Sequence, residues 1–284
     1  MPFHFAVSTV ETEAGSGAGA IIKQDGRFVA EDPGVYTILV RSGHQSSVRT
    51  IRVVPRGVAR EVTLVGKGLT PHTLSSDFWV WEGIDGRDYA ITGTNYGTAK
   101  AYFWDVTDPA NLIMIDSVEV NARNVNDVKV SEDGTLAVIT REGASNRKNG
   151  IVILDVSNPH DVQIITEYTE GLTGGVHNVF IYENHVYALS NGQRYDIINI
   201  EDPKNPRTVG RFEIGNPARS IHDVWVVDGI AYSSNWSDGV VIVDVGNGIA
   251  GGSPSNPVEI ARSKVDGDAN HAAFPYYSEA TGKF

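Results

Sequence analysis

Cysteine is absent from the 284 residues, so the chain has no disulfide framework, no thiol nucleophile and no thiolate-bound zinc. Positive charge is scarce: 23 Lys and Arg stand against 35 Asp and Glu, a formal net charge of −12. That balance argues against nucleic acid as a partner, because phosphates recruit cationic side chains. Apolar runs are short, and none approaches the ~20 residues of a membrane-spanning helix. The opening MPFHFAVSTV has neither a basic head nor a long apolar stretch, so no signal peptide is visible. Missing too are a GxSxG elbow, a phosphate loop and an HExxH helix, and with them the common routes to catalysis.

What is present points one way. A hydrophobic content of 41% with 20% charged residues suits a globular chain. Thirty Gly and twelve Pro, spread along the length, punctuate many short strands. An internal repeat organises them. IHDVWVVDGIAYSSNWSDGVVIVDV (221–245) lies segment for segment over VHNVFIYENHVYALSNGQRYDIINI (176–200). Two further copies cover 125–156 and 75–106, and a fifth begins at NHAAFPYYSEATGKF (270–284). The anchoring column is Asp77, Asp127, Asn178 and Asp223, spaced 50, 51 and 45 residues apart, with Ala272 in the same column 49 residues on.

Each unit contains four pieces with alternating, β-branched and aromatic character, separated by Gly, Asn or Asp turns. Asp105-Val-Thr-Asp108-Pro109, Asp155-Val-Ser-Asn158-Pro159 and Asn199-Ile-Glu-Asp202-Pro203 close the third strand each time. Asp or Asn there can bond the backbone two residues on, and Pro presets the following dihedral. Four antiparallel strands recurring every 45–51 residues predict an all-β chain folded as a β-propeller. Four blades are complete and two partial. The Trp104-Asp105 pair stands where a WD dipeptide would, but it occurs once and lacks a preceding Gly-His, so it carries no family label.

The strings GVVIVDV, GIVILDV and DIINIEDPKNP resemble the LVIVD-repeat proteins, a propeller family of bacterial and archaeal surface proteins whose repeat reads roughly LVIVDVSDPxNP. The resemblance spans about residues 60–284. YFWDVTDPANL departs from the pattern, as does VGNGIAGGSPSNP, where a Gly-rich insertion replaces the corner. It implies a propeller and an exported habitat, extracellular, at the cell surface or periplasmic, and brings no activity with it.

Two domains are expected, 1–57 and 58–284. GAIIKQDGRFVAEDPGVYTILVRSGHQSSVRTIRVVP resembles the second half of a bacterial Ig-like β-sandwich, whose full form takes ~100 residues. GSGAG (15–19) within it is read as a loop rather than a phosphate site. REVTLVG (60–66) takes the place of a fourth strand without the first three, and GKF should open a second strand. The expectation is a piece of a longer chain whose ring closes by pairing its two ends.

In a propeller the first strand of each blade lines the central channel. That topology puts Ser76, Asn126, His177, His222 and His271 at one height near the axis, beside Asp77, Asp127, Asn178 and Asp223. The loops between second and third strands bring Tyr96, Arg141 and Trp236 to the same mouth. Two readings follow. The His column, with Asp partners, could hold a divalent metal through His177, His222 and His271 with an open position for chemistry. Alternatively, a polar residue opening every inner strand bonds to the next blade's backbone and sets the angular register, since buried polar groups must find partners. Asp77, Tyr96, Asp127, Arg141, Asp223 and Trp236 are the candidate ligand-binding set. Trp79, Trp81, Phe180 and Trp225 alternate along inner strands and are read as blade packing. DGDAN (266–270) has half a calcium loop's spacing, but His271 stands where Gly is required and no Glu lies six residues further on, so a turn is expected.

The first functional reading is therefore a non-catalytic exported scaffold that binds a ligand, a surface protein or a polysaccharide at the mouth or rim. The second is an enzyme using a metal held by the three histidines.

Overall fold

The computed structural model describes residues 2–12, 19–30, 32–55, 57, 61–215, 220–264 and 269–278. Every element in them is a strand. The chain divides into two compact units, 1–63 with 276–284, and 64–275. The glycine run at 15–18, Asp266, Asp268 and the terminal GKF lie outside the described residues.

In the first unit β1 (His4–Thr12), β4 (Gly34–Ser42) and β5 (Gln45–Val53) form an antiparallel sheet in that order, while β2 (Ala20–Ile22) and β3 (Phe28–Ala30) form a hairpin. Alternation along Gly34–Ser42 buries Tyr36 and Ile38, and the Tyr36 hydroxyl donates to the Asp32 carbonyl at 2.8 Å.

The second unit contains four sheets of four strands, each in simple sequence order. Blade I comprises β6 (Leu74–Glu82), β7 (Asp88–Asn95), β8 (Lys100–Asp105) and β9 (Ile113–Glu119). Blade II comprises β10 (Val128–Val130), β11 (Leu136–Arg141), β12 (Gly150–Asp155) and β13 (Gln163–Tyr168). In blade III they are β14 (Val176–Tyr182), β15 (His185–Ser190), β16 (Arg194–Asn199) and β17 (Arg207–Glu213). Blade IV has β18 (Asp223–Val227), β19 (Ile230–Ser234), β20 (Val240–Asp244) and β21 (Val258–Ser263). The propeller architecture and the four complete repeats expected from the period are thus present.

Repetition extends to irregularities. Each blade slips register between its third and fourth strands at the same place, after Phe103, Ile153, Ile197 and Ile242. The residue two positions on is the corner Asp or Asn. Its side chain caps the turn as expected: Asp105 accepts from Thr107 N at 3.1 Å, Asp155 from Ser157 N at 2.9 Å, and Asn199 from Glu201 N at 3.3 Å. Asp244 does more. The Gly-rich insertion wraps its carboxylate with the backbone N–H groups of Gly246, Gly248, Ala250 and Gly252. Burial pushes this carboxyl up, but the four donors outweigh it and hold the pKa at about 2.

The core sits between blades. Ile91 and Phe103 of blade I meet Ile139 and Leu154 of blade II. Ile151 and Ile153 on the other face of blade II meet Val186 and Ile198 of blade III. Tyr187, Tyr195 and Ile197 then meet Val224, Ala231 and Val243 of blade IV. Alternation along each strand thus feeds two different interfaces, which explains why the middle strands read as almost continuously apolar. At the first junction the backbones come close: a Cβ on Gly93 would lie 2.3 Å from the Val125 carbonyl oxygen.

Two end-of-chain expectations need correction. Residues 61–66 of REVTLVG belong to no strand, and Val62 is 95% exposed. A fourth strand needs a third-strand edge to pair with, and none is offered to it among the described residues. The fifth copy forms no regular inner strand either; Asn270 makes an antiparallel bridge to Trp236, and 271–277 belong to no strand.

Candidate functional site

The inner strands β6, β10, β14 and β18 neighbour one another, and the residues that open them surround an axial cavity of about 780 Å³. Its layers follow from the two-residue period of a strand. The upper layer holds Ser76, Asn126, His177, His222 and His271; below it lie Asp77, Asn178, Asp223 and Ala272. The floor is the column two residues further on: Trp79, Lys129, Trp225 and Phe274 line it, with Phe180 packed beside them.

The upper layer stitches each blade to the next. Ser76 Oγ donates to the Val125 carbonyl at 2.6 Å, Asn126 Nδ2 to the His177 carbonyl at 3.0 Å, and His222 Nδ1 to the His271 carbonyl at 2.9 Å. The second layer does the same. Asp127 Oδ2 accepts from Val179 N at 2.7 Å, Asn126 Nδ2 reaches Asn178 Oδ1 at 3.1 Å, and Asn178 Nδ2 reaches Asp223 Oδ1 at 3.0 Å. These are bonds between successive blades, the angular clasp that the repeat foreshadows.

Lys129 is the departure within the floor column. Its ammonium bonds Asp77 Oδ2 at 2.7 Å and also Asp127 and the Val128 carbonyl, and it stands 5.2 Å from the centre of the Trp79 ring. Burial pushes the Asp127 carboxyl well up against the opposing pull of Lys129. Burial also works against the Lys129 charge, but the two carboxylates beside it hold its pKa above the ordinary lysine value.

The three histidines stack instead of converging. The His222 and His271 rings lie 3.9 Å apart at 38°, and His177 meets His222 edge-on at 5.0 Å. Nδ1 of His222 is spent on the His271 carbonyl and Nδ1 of His177 on Glu142, so these two ring nitrogens are engaged within the protein. Among the described residues no group of three or more His, Asp or Glu stands as a metal's ligand set, so the expected metal triad is not assembled by this geometry. Burial, first of all, lowers the pKa of His222 below the ordinary histidine value. His177 Nδ1 lies 3.2 Å from Glu142 Oε1, and that contact lowers the Glu142 pKa.

The candidate ligand residues divide. Asp77 and Asp223 line the cavity. Trp236 is not among the lining residues; its ring packs edge-on 4.7 Å from that of His222, which is. Asp127 is only 1% exposed and spent on clasp bonds, so it is not presented to a ligand. Tyr96 is 61% exposed beside the Arg123 guanidinium, and its neighbour Asn95 lines the cavity in its place. Arg141 is a correction: it is 1% exposed, pairing with Glu167 and the Lys148 carbonyl. Strand alternation turns the next residue, Glu142, toward His177. The aromatic reading is corrected too. Trp81 packs within its blade on Tyr89, but Trp79 meets Phe180 at 6.1 Å and Trp225 at 5.6 Å across the axis.

Comparison with known families locates these features. The family model described as the lipoprotein LpqB beta-propeller domain matches residues 11–162. The LVIVD repeat matches residues 218–264, which hold the whole of blade IV. No curated protein matches the chain.

Proposed function

Because the chain belongs to the family of the lipoprotein LpqB beta-propeller domain, we propose that it is an exported, cell-envelope binding scaffold whose ligand seats in the axial cavity. The single observation that carries the reading is the cavity itself: about 780 Å³, open to solvent and lined by residues from the inner strands of blades I–IV and the segment after them. Its size is that of ordinary small-molecule sites, and its apolar floor under a few placed polar groups is their usual composition. The blades supply rigidity, since their facing cores and inter-blade bonds fix the lining side chains without loops. LVIVD-type repeats support the exported habitat, as does the lipoprotein named by the matching family. A fold hosts many functions, so the site and not the architecture bears the argument.

Cell fractionation tests the location; accumulation in the cytosol sinks it. Crystals soaked with mixed small organic fragments test the cavity. Fragments should gather on Trp225 and Phe274, and density confined to the blade rims would remove the site.

A further inference from the structure

The cavity's chemistry is lopsided. Its amide, hydroxyl and ammonium donors are largely committed to the protein: Asn126 to blade III, Asn178 to Asp223, Ser76 to Val125, Ser75 to Thr70, and Lys129 to two carboxylates and a carbonyl. Asn95 at the rim is the exception among these groups. Apart from Asn95 and the indole N–H groups of Trp79 and Trp225, what the walls still offer is acceptance and negative charge. Asp77 and Asp127 share the Lys129 ammonium, whereas Asp223 has no ion-pair partner among the described residues. Among the described residues only Oδ1 of Asp223 is engaged, by Asn178 Nδ2 and Val224 N at 3.0 and 2.9 Å. The neighbouring imidazole does not compensate it, because His222 is held toward its neutral form.

Aromatic side chains line the same cavity as that carboxylate. Trp225 stands two residues along the same strand face, and Phe274 meets it edge-on at 4.9 Å. An aromatic face beside a carboxylate is a cation's environment, since ring quadrupole and charge attract the same ligand. The protein already uses that combination once: Lys129 holds its ammonium by Trp79 and Asp77. The same pairing recurs, without a cation of the protein's own, at Trp225 and Asp223.

We infer that the axial cavity binds a small organic cation, an alkylammonium group seated against Trp225 and Phe274 and paired with Asp223. The inference rests on the cavity being the ligand site and adds the ligand's charge. Neutral sugars fit less well, because they ask for free amide and hydroxyl donors that the clasp has consumed.

Choline and its uncharged carbon isostere 3,3-dimethyl-1-butanol make the test, titrated into the whole chain with tryptophan fluorescence and calorimetry as readouts. Choline should bind at least about tenfold more tightly than the isostere, the factor that one added charge contact of about 1.4 kcal/mol supplies. Asp223→Asn keeps an acceptor for Asn178 and Val224, so the fold should persist, and it should erase the preference for choline. Phe274→Ala, at a side chain 64% exposed, should weaken choline without touching a core cluster. Equal binding of both probes overturns the cation and leaves the cavity as an apolar site. Binding of neither overturns it too, with the fragment soak deciding the cavity separately. A preference for choline that survives Asp223→Asn overturns the assigned residue and with it the proposal.

Discussion

The two halves of the axial ring solve one problem with different chemistry. Between blades I and II the clasp is ionic, with Asp77 and Asp127 gathered on the buried Lys129. Between blades III and IV it is an amide bond, Asn178 to Asp223, and the carboxylate keeps an oxygen for the cavity. Substituting Lys for the aromatic residue of the floor column closes the first half by internal neutralisation. Retaining Trp225 in that column leaves the second half charged and open. One position, two residues along the inner strand, therefore separates the structural side of the ring from the side that can receive a ligand.

Breaking the ionic half should have the largest effect. Lys129→Met leaves two carboxylates without a counter-ion, one of them fully buried, and should cost about 3–5 kcal/mol in urea denaturation. Loss of less than about 1 kcal/mol would show the clasp to be dispensable. Asn178→Ala removes a neutral clasp and strands part of the Asn126 amide, so about 1–3 kcal/mol is expected from the same measurement. Asp77→Asn should cost under about 1 kcal/mol, because its half-exposed side chain gains little from pairing in solvent. If Asp77 and Lys129 variants proved equally damaging, the ion pair rather than the burial of Asp127 would dominate.

A last test, read in its pH dependence, sharpens the comparison with a carboxylate satisfied by backbone alone. Asp244 has a folded pKa of about 2 against an ordinary 3.8. Its contribution to stability is present above the unfolded value and is lost as pH falls from about 4 to about 2. Asp244→Asn should flatten the melting temperature against pH across that window. An unchanged slope would mean that the four N–H donors do not hold the charge.

Much of this was legible in the chain. The period, the Asp/Asn column and the corner caps are local patterns, and local hydrogen bonds realise them: Asp105, Asp155 and Asn199 each cap their own turn. Facing blades were legible through alternation. What escaped depended on neighbours distant in sequence. Nothing in VKVSEDG marks Lys129 as buried, and only the arrival of Asp77, 52 residues away, makes it a buried counter-ion. Trp79, Phe180 and Trp225 alternate as blade-packing residues do, and alternation cannot say that they meet across an axis. Arg141 and Glu142 differ by one residue and so face opposite ways; the loop after β11 gave no register to choose between them. REVTLVG had strand composition, but a strand requires an edge to pair with.

By itself the sequence determined a repeated four-stranded unit, its turns and the residues that open each inner strand, because each depends on interactions within a few residues or on side-chain alternation. Tertiary structure alone decided which of those residues spend their polar atoms on the next blade and which keep them for the cavity. The reason is physical: a carboxylate's availability is set by the donors and cations that packing brings within about 3 Å, and those come from other blades, some fifty residues away along the chain.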